Sequence, residues 1–186
     1  LGLMGGNMAE CLQNNGFDLV VMGRNPGAVA KTVTRGAVEV ATPKELAEAS
    51  DIVMLCVTTS DVVESLVFGD LGILAGIKEG ATLIDFGTSI PASTRKIGAA
   101  LAAKGAGMLD APLGRTPAHA KDGLLNIMAA GDVQTYKQMK PILDVLGENV
   151  FHLGALGSGH ATKLVNYFMG ITTVGTMSQA VPIAKR

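Results

Sequence analysis

The chain has 186 residues, 48% of them hydrophobic, and a formal net charge of −1 from 15 basic and 16 acidic side chains. This length and composition allow roughly one to one and a half globular domains with a large buried core. Because the charges are balanced and form no basic block, we expect neither nucleic acid nor an anionic membrane as a partner.

Two cysteines, Cys11 and Cys56, lie in apolar segments without C-x-x-C spacing or an accompanying histidine. We interpret both as reduced core residues, which indicates a cytoplasmic protein without a disulfide or a bound metal. No apolar run reaches the roughly 18 residues of a membrane span. The sequence therefore favours a protein that does not cross a membrane.

Five short apolar segments predict strands that are covered on both faces. They are residues 17–23, 50–57, 81–87, 107–113 and 124–131. The segments between them have helical spacing, and three helix starts are marked by a capping residue followed by proline. These starts are Asn25-Pro26, Thr42-Pro43 and Thr116-Pro117. The alternation predicts an α/β fold with a Rossmann-type, doubly wound, mostly parallel sheet that binds ligands beyond the carboxyl ends of its strands.

The alternation of strands and helices stops near residue 157, where one long helical pattern begins. We predict a dinucleotide-binding domain over residues 1–156 and the start of an all-helical second domain over 157–186. The helical pattern runs to the last residue, and the first strand of the sheet would precede Leu1. We therefore expect the sequence to be part of a longer chain, truncated at both ends.

The opening residues LGLMGGNMAECL resemble the second half of the dinucleotide fingerprint G-x-G-x-x-G. Gly2 and Gly5 match its second and third glycines, which let the backbone approach a pyrophosphate at a helix N-terminus. The backbone of Gly2, Leu3, Met4 and Gly5 is thus the predicted phosphate-binding turn.

The end of the next strand is expected to contact the adenosine ribose. A carboxylate there would bind the hydroxyls of NAD, but the sequence reads Arg24-Asn25 before a helix start. A guanidinium suits a 2'-phosphate, so Arg24 and Asn25 favour NADP(H), with NAD(H) possible. The alternative is that Arg24 is a solvated surface residue.

Three further stretches, together with the opening one, resemble the β-hydroxyacid dehydrogenases, a 6-phosphogluconate dehydrogenase-like group that includes 3-hydroxyisobutyrate dehydrogenases and tartronate semialdehyde reductases. They are LIDFGTSIP at 83–91, DAPLGRTPAHAKDGLL at 110–125 and GSGHATKLVNYF at 157–168. The resemblance implies a Rossmann domain followed by an all-helical domain that supports dimerisation, so a homo-oligomer, dimer or tetramer, is expected.

The motif G-x-x-x-K-x-x-N, here Gly159, Lys163 and Asn166, is similar to the catalytic helix of this family. The resemblance implies that Lys163 is the general acid, because an ammonium can protonate the alkoxide that forms as hydride reaches an aldehyde. Asn166 shares its helix face and would orient the substrate. We interpret His160 as a polar residue at the helix start, since no partner is identifiable from the sequence.

Many members of the family have D-x-P-V-S-G-G where this chain has Asp110-Ala-Pro-Leu-Gly114-Arg115-Thr116. Gly114, Arg115 and Thr116 are the predicted substrate-binding residues: Thr116 would cap a helix and Arg115 would add a cation. The GRT sequence is similar to that of sulfolactaldehyde reductases and favours a sulfonated aldehyde. Two alternatives stay open, a carboxylate semialdehyde and a purely structural salt bridge between Arg115 and Asp122.

Thr88, after the strand at 81–87, aligns with a family threonine and is expected near the nicotinamide or the substrate. Val57 and Thr58 follow the strand at 50–57 and are expected to line the cofactor groove. The sequence thus predicts an NAD(P)-dependent reductase of a small anionic aldehyde, reversible as a 3-hydroxyacid dehydrogenase. The competing prediction is a non-catalytic dinucleotide-binding or interaction module.

Overall fold

A computed structural model describes residues 1–184, and within them eight strands alternate with nine helices. The strands are β1 (Val20–Val21), β2 (Val38–Glu39), β3 (Ile52–Leu55), β4 (Thr82–Asp85), β5 (Gly107–Asp110), β6 (Leu113–Gly114), β7 (Leu125–Gly131) and β8 (Gly147–His152). The helices are α1 (Leu3–Asn14), α2 (Pro26–Val33), α3 (Pro43–Ala49), α4 (Ser60–Phe68), α5 (Ile73–Gly76), α6 (Pro91–Ala102), α7 (Pro117–Lys121), α8 (Val133–Leu146) and α9 (Ser158–Ala184). This order confirms the predicted α/β architecture.

The main sheet is built on three parallel strands, β3, β4 and β5. Beyond them β7 runs antiparallel to β5, and it pairs with β6 in antiparallel and with β8 in parallel orientation. β1 and β2 form a separate parallel pair. The prediction of a mostly parallel sheet is thus confirmed, with β7 and β8 running opposite to β3, β4 and β5.

All five predicted strands are shorter than the sequence suggested, two of them markedly, and β2 and β8 were not predicted. The segment 17–23 pairs only at Val20–Val21, and the segment 107–113 stops at Asp110. Pro112 has no N–H to donate to a ladder, so the chain bends there and resumes as β6. β2 has two residues and β8 is half-exposed and polar, so neither carries the apolar pattern of a buried strand.

Two of the three predicted helix caps form as expected. The Asn25 side chain accepts the N–H of Ala28 at 3.2 Å, and Thr42 accepts that of Glu45 at 3.1 Å. The third is wrong: among the described residues, the hydroxyl of Thr116 is hydrogen-bonded only to Nδ1 of His119, at 2.7 Å, and caps no backbone amide. A neighbouring imidazole competes with the backbone for this hydroxyl.

The core around the main sheet has two parts, one on each face, and a smaller third cluster lies between β1 and α2. Leu83 and Ile84 are consecutive residues of β4, and they pack into different clusters because successive side chains of a strand point to opposite faces. Helices α1 and α8 cover the Ile84 face, and α4 and α6 cover the Leu83 face. Both faces are therefore buried, and the carboxyl-end turns remain accessible.

Helix α9 is long and, beyond its first turn, poorly covered. It has 27 residues, and apolar side chains such as Phe168 (73% exposed) and Ile171 (69% exposed) have no covering layer among residues 1–184. Even so, none of the helices in the described range is long and apolar enough to cross a membrane. That residues 157–186 begin a second domain stays a prediction, and its last two residues lie outside the described part.

Candidate active site

The predicted phosphate turn is an open helix N-terminus. Gly2 is extended and precedes α1, and the first intrahelical bond runs from the Gly6 N–H to the Gly2 carbonyl at 2.8 Å. The amides of Leu3, Met4 and Gly5 belong to the first turn, where the helix itself supplies no acceptor. Apart from its two neighbours in the chain, no described residue has an atom within 4 Å of the Cβ position of Gly2. The turn therefore has the free donors and the open space that a diphosphate needs.

The turns after β3 and β4 lie beside this helix start. A Cβ on Gly5 would lie 3.6 Å from the Cβ of Cys56, so α1 begins directly against the end of β3. Burial, with the charge of Asp85 as a smaller contribution, raises the pKa of the Cys56 thiol and keeps it neutral. The turns at Val57 and Gly87 also touch, because a Cβ on Gly87 would lie 2.9 Å from the Val57 carbonyl oxygen.

The remaining predicted cofactor residues follow the ends of β1, β3 and β4. Val57 and Thr88 are half-buried and Thr58 is exposed, each just past the carboxyl end of its strand. Arg24 is exposed between β1 and α2, and Asn25 uses its side chain as the α2 cap. The cap fixes the start of α2, and Arg24 is the basic side chain immediately before it.

Lys163 is anchored by its ammonium group. Its Nζ donates a 2.6 Å hydrogen bond to the Leu113 carbonyl and lies 4.3 Å from the centroid of the Tyr167 ring. Burial lowers the pKa of this ammonium below its usual value, which brings it closer to the range useful for proton transfer. Asn166 is exposed one turn further along α9.

The segment predicted to bind the substrate begins directly after Leu113, the residue that accepts the Lys163 bond. Gly114 lies in β6 opposite Asn126, and a Cβ on Gly114 would lie 3.2 Å from that of Asn126. Arg115 has φ +76°, and within residues 1–184 it is the one non-glycine residue in this left-handed region. Glycine adopts such a backbone without strain, which accounts physically for the glycine of the D-x-P-V-S-G-G pattern at this position.

The Arg115 side chain has partners that the sequence did not indicate. Its Nη1 donates to the Leu124 carbonyl at 2.7 Å and pairs with Glu148 at 2.5 Å. The alternative partner Asp122 is therefore wrong, and the counter-ion comes from β8, a strand that was itself not predicted. The side chain remains 30% exposed.

The cofactor helix and the substrate segment are tied together. Asn7 on α1 donates its side-chain N–H to the Pro117 carbonyl at 2.9 Å, and Glu10 pairs with Lys121 of α7 at 3.0 Å. Because α7 follows Arg115 and Thr116 directly, the position of this segment depends on α1. Sequence reasoning missed both contacts, which join residues more than a hundred positions apart.

Sequence reasoning also missed a buried polar cluster at the base of α9. Asp110 accepts the N–H of Gly157 at 2.7 Å and that of His160 at 2.8 Å. His160 is fully buried, with Nδ1 2.8 Å from the Thr94 hydroxyl. Burial raises the pKa of the Asp110 carboxyl, although the two amides act in the opposite direction. His160 does begin α9 as predicted, but the interpretation without partners is wrong.

Among the described residues, no group of three or more His, Cys, Asp or Glu side chains is arranged so that it could hold a metal ion. The arrangement is that of a dinucleotide-binding domain: a glycine-containing helix start and two strand-end turns meet at the carboxyl edge of a mostly parallel sheet. Residues 1–154 match the family of the NAD binding domain of 6-phosphogluconate dehydrogenase. The chain belongs to this family.

Named relatives lie among the β-hydroxyacid dehydrogenases, which confirms the resemblance found in the motifs. The chain is 33% identical to the 3-sulfolactaldehyde reductase of Escherichia coli (strain K12) over 185 residues, covering 100% of this chain and 62% of that protein. It is 35% identical to the 3-hydroxyisobutyrate dehydrogenase of Pseudomonas aeruginosa over 177 residues, covering 95% of this chain and 59% of that protein. The chain thus spans about 60% of the length of these relatives.

A solved structure has the same fold. The crystal structure of 3-hydroxyisobutyrate dehydrogenase from Salmonella typhimurium superimposes with a TM-score of 0.90 at 27% identity, covering 100% of this chain and 65% of that one.

Proposed function

We propose that the protein is an NAD(P)-dependent oxidoreductase that interconverts a small anionic aldehyde and the corresponding 3-hydroxy acid. In this proposal Lys163 is the general acid and base. The observation that carries this proposal is the Lys163 ammonium itself. It is half-buried and hydrogen-bonded to the Leu113 carbonyl, directly before the predicted substrate segment.

The cofactor supplies or accepts a hydride, and the chain's own residues manage the proton and the charge. When the aldehyde is reduced, the Lys163 N–H stabilises the developing alkoxide and transfers its proton to that oxygen. In the reverse direction the neutral amine accepts the proton of the alcohol. Asn166, on the same face of α9, is proposed to hold the substrate oxygen or carboxylate with its amide.

We propose that NADP(H) is preferred over NAD(H). The strand end at Met22-Gly23 leads to Arg24 where an NAD-specific domain would have a carboxylate. Arg24 is exposed beside the capped start of α2, and a guanidinium can form two parallel hydrogen bonds with a 2'-phosphate.

For the substrate we propose a sulfonated aldehyde over a carboxylate semialdehyde. Arg115 provides a cation two residues after Leu113, and its guanidinium has five N–H donors, of which the contacts to Leu124 and Glu148 use only the Nη1 group. The similarity to a 3-sulfolactaldehyde reductase supports the sulfonate, and the similarity to a 3-hydroxyisobutyrate dehydrogenase supports the carboxylate.

We also propose a cytoplasmic homo-oligomer. Cys11 and Cys56 are free thiols, which suits a reducing compartment. The exposed apolar side chains of α9 form a hydrophobic surface, and association of helical segments would bury this surface.

Steady-state assays of the encoded protein test the proposed function. A panel of sulfonated, carboxylated and neutral aldehydes is reduced with NADPH and with NADH, and kcat/KM is compared across all pairs. The proposal requires turnover of the anionic aldehydes and the highest efficiency for the sulfonated one with NADPH. Binding of NADPH without turnover of any aldehyde or hydroxy acid would favour the non-catalytic module instead.

A further inference from the structure

Three ionisable side chains at the base of α9 take no part in the proposed reaction, although they lie at its edge of the sheet. Asp85 and Asp110 end the adjacent strands β4 and β5 and are paired in register. His160 lies against both, with Nε2 3.7 Å from Asp85 and Nδ1 3.8 Å from Asp110. All three residues are fully buried. Burying ionisable groups costs free energy unless each has specific hydrogen-bond partners. We therefore expect this cluster to have a role.

Asp110 fixes the start of α9. Its two carboxylate oxygens accept the amides of Gly157 and His160, which places a carboxylate at the positive end of the helix. Gly159 lies between them, where a Cβ would collide with the Met128 carbonyl of β7. The first turn of α9 is therefore pressed against the sheet, with no room to slide.

His160 fixes the rotation of the same turn. Its imidazole reaches across to α6, where Nδ1 is hydrogen-bonded to the Thr94 hydroxyl at 2.8 Å. Its Nε2 faces Asp85 and has no hydrogen-bond partner among residues 1–184. Asp85 in turn accepts from the Gly87 N–H and the Ser89 hydroxyl, which shape the turn carrying Thr88. The buried imidazole of His160, on α9, thus contacts α6 and faces the turn that follows β4.

Lys163 follows His160 by three residues, so the two side chains project from nearly the same side of the helix. A rotation of α9 by one residue would turn both by about 100° and would break the bond from Lys163 to the Leu113 carbonyl. Misplacement of a reacting group by about 1 Å can lower a rate a hundredfold.

We propose that His160 is a positioning residue for Lys163: its hydrogen bond to Thr94, with Asp110 capping the same turn, sets the rotation of α9 that presents the ammonium to the substrate. This inference rests on the proposed function. In this proposal His160 does not act on the phosphate turn. Changing His160 is therefore expected to lower turnover and to leave cofactor binding unaffected.

The test uses two substitutions at His160 in the encoded protein. His160→Asn keeps an amide near the position of Nδ1 and can still pair with Thr94, whereas His160→Leu fills the space without a polar atom. We expect His160→Leu to lower kcat about tenfold to a hundredfold, with the dissociation constant of NADPH within about twofold of the parent. We expect His160→Asn to restore kcat to within about threefold of the parent.

A second variant keeps the test decisive if His160→Leu does not fold. Thr94→Val removes the partner hydroxyl and leaves the imidazole, and we expect a smaller loss of kcat with unchanged NADPH binding. Thr32→Val is the matched control. Like Thr94, Thr32 is a buried helical threonine, and its hydroxyl donates a hydrogen bond to the carbonyl four residues earlier, but it lies in α2.

Three results would overturn the proposal: parental turnover in His160→Leu and Thr94→Val, an equal loss of turnover and NADPH affinity, or a His160→Asn variant as slow as His160→Leu. Lys163→Ala is assayed alongside. If it too keeps parental turnover, the proposed function fails, whereas if it alone is inactive, only the positioning role fails.

Discussion

Lys163 and Leu113 are fifty positions apart in the chain, and a 2.6 Å hydrogen bond joins the ammonium of one to the carbonyl of the other. This bond attaches helix α9 to the strand that leads into the substrate segment. It connects the residue proposed to move the proton with the residues proposed to hold the anion, and the following predictions depend on that connection.

The first prediction concerns pH. Aldehyde reduction requires the Lys163 ammonium, so its rate should fall as pH rises through a pKa that lies below the usual value of 10.5. Alcohol oxidation requires the free amine and should rise over the same range. The pH dependence of kcat in both directions measures this. Lys163→Arg, which stays charged at these pH values, should lose both dependences.

If the two rates show no opposite dependence below pH 10.5, or if Lys163→Arg keeps the parental profiles, Lys163 is not the proton donor.

The second prediction concerns the cofactor. Arg24→Ser should lower the ratio of kcat/KM for NADPH to that for NADH about tenfold to a hundredfold, because a hydrogen bond to a charged group is worth about 1.5–3 kcal/mol. Lys31→Ser, which removes an exposed cation from the same helix region, is the control and should leave the ratio unchanged. Equal ratios in the parent and Arg24→Ser would rule out contact with the 2'-phosphate.

The third prediction concerns the pair formed by Arg115 and Glu148. Glu148 competes with an anionic substrate for the guanidinium, so Glu148→Gln should lower KM for anionic aldehydes about twofold to fivefold, the range of an exposed ion pair. Arg115→Ala should raise the same KM. Neutral aldehydes provide the control.

A rise of KM for anionic aldehydes in Glu148→Gln would mean that the carboxylate orients Arg115 toward the substrate and does not compete with it. Equal effects on neutral aldehydes would indicate that the pair serves only the local fold.

The fourth prediction concerns stability. Asp110→Asn replaces one accepting oxygen by an NH₂ group, which leaves a buried amide at the α9 start unpaired and should cost about 1–3 kcal/mol in urea unfolding. Asp132→Asn is a matched control, because Asp132 accepts two amides at the exposed start of α8, where asparagine caps about as well. A similar loss in both variants would show that burial at Asp110 is unimportant.

Local chemistry made much of the fold predictable. Asn25 and Thr42 cap their helices through contacts within three residues, and the buried parallel strands carry continuous apolar runs. The predictions failed where a side chain competes with the backbone for a hydrogen bond, or where the partner residue is distant in the sequence. Thr116 binds a side chain instead of a backbone amide, and the partner of Arg115 lies on β8, which is too polar to be predicted as a strand.

Residues of the candidate site could be predicted where a short motif contains them. They could not be predicted where only the packing of distant elements brings them together. The phosphate turn and Lys163 follow from short motifs, and their contacts with cofactor and substrate stay predictions. The connection of Asp110 and Thr94 with His160 depends on how α6, β5 and α9 pack, and sequence spacing contains no signal for it.

The central claim is that one ammonium on α9 supplies the proton of the reaction. Its most direct test is the single-turnover rate of Lys163→Ala at saturating NADPH and aldehyde, with NADPH affinity measured on the same samples and Lys137→Ala, an exposed lysine of α8, as control. The account predicts a rate lowered about 10²–10⁴-fold in Lys163→Ala alone, with NADPH affinity retained. A single-turnover rate equal to that of the parent would contradict it.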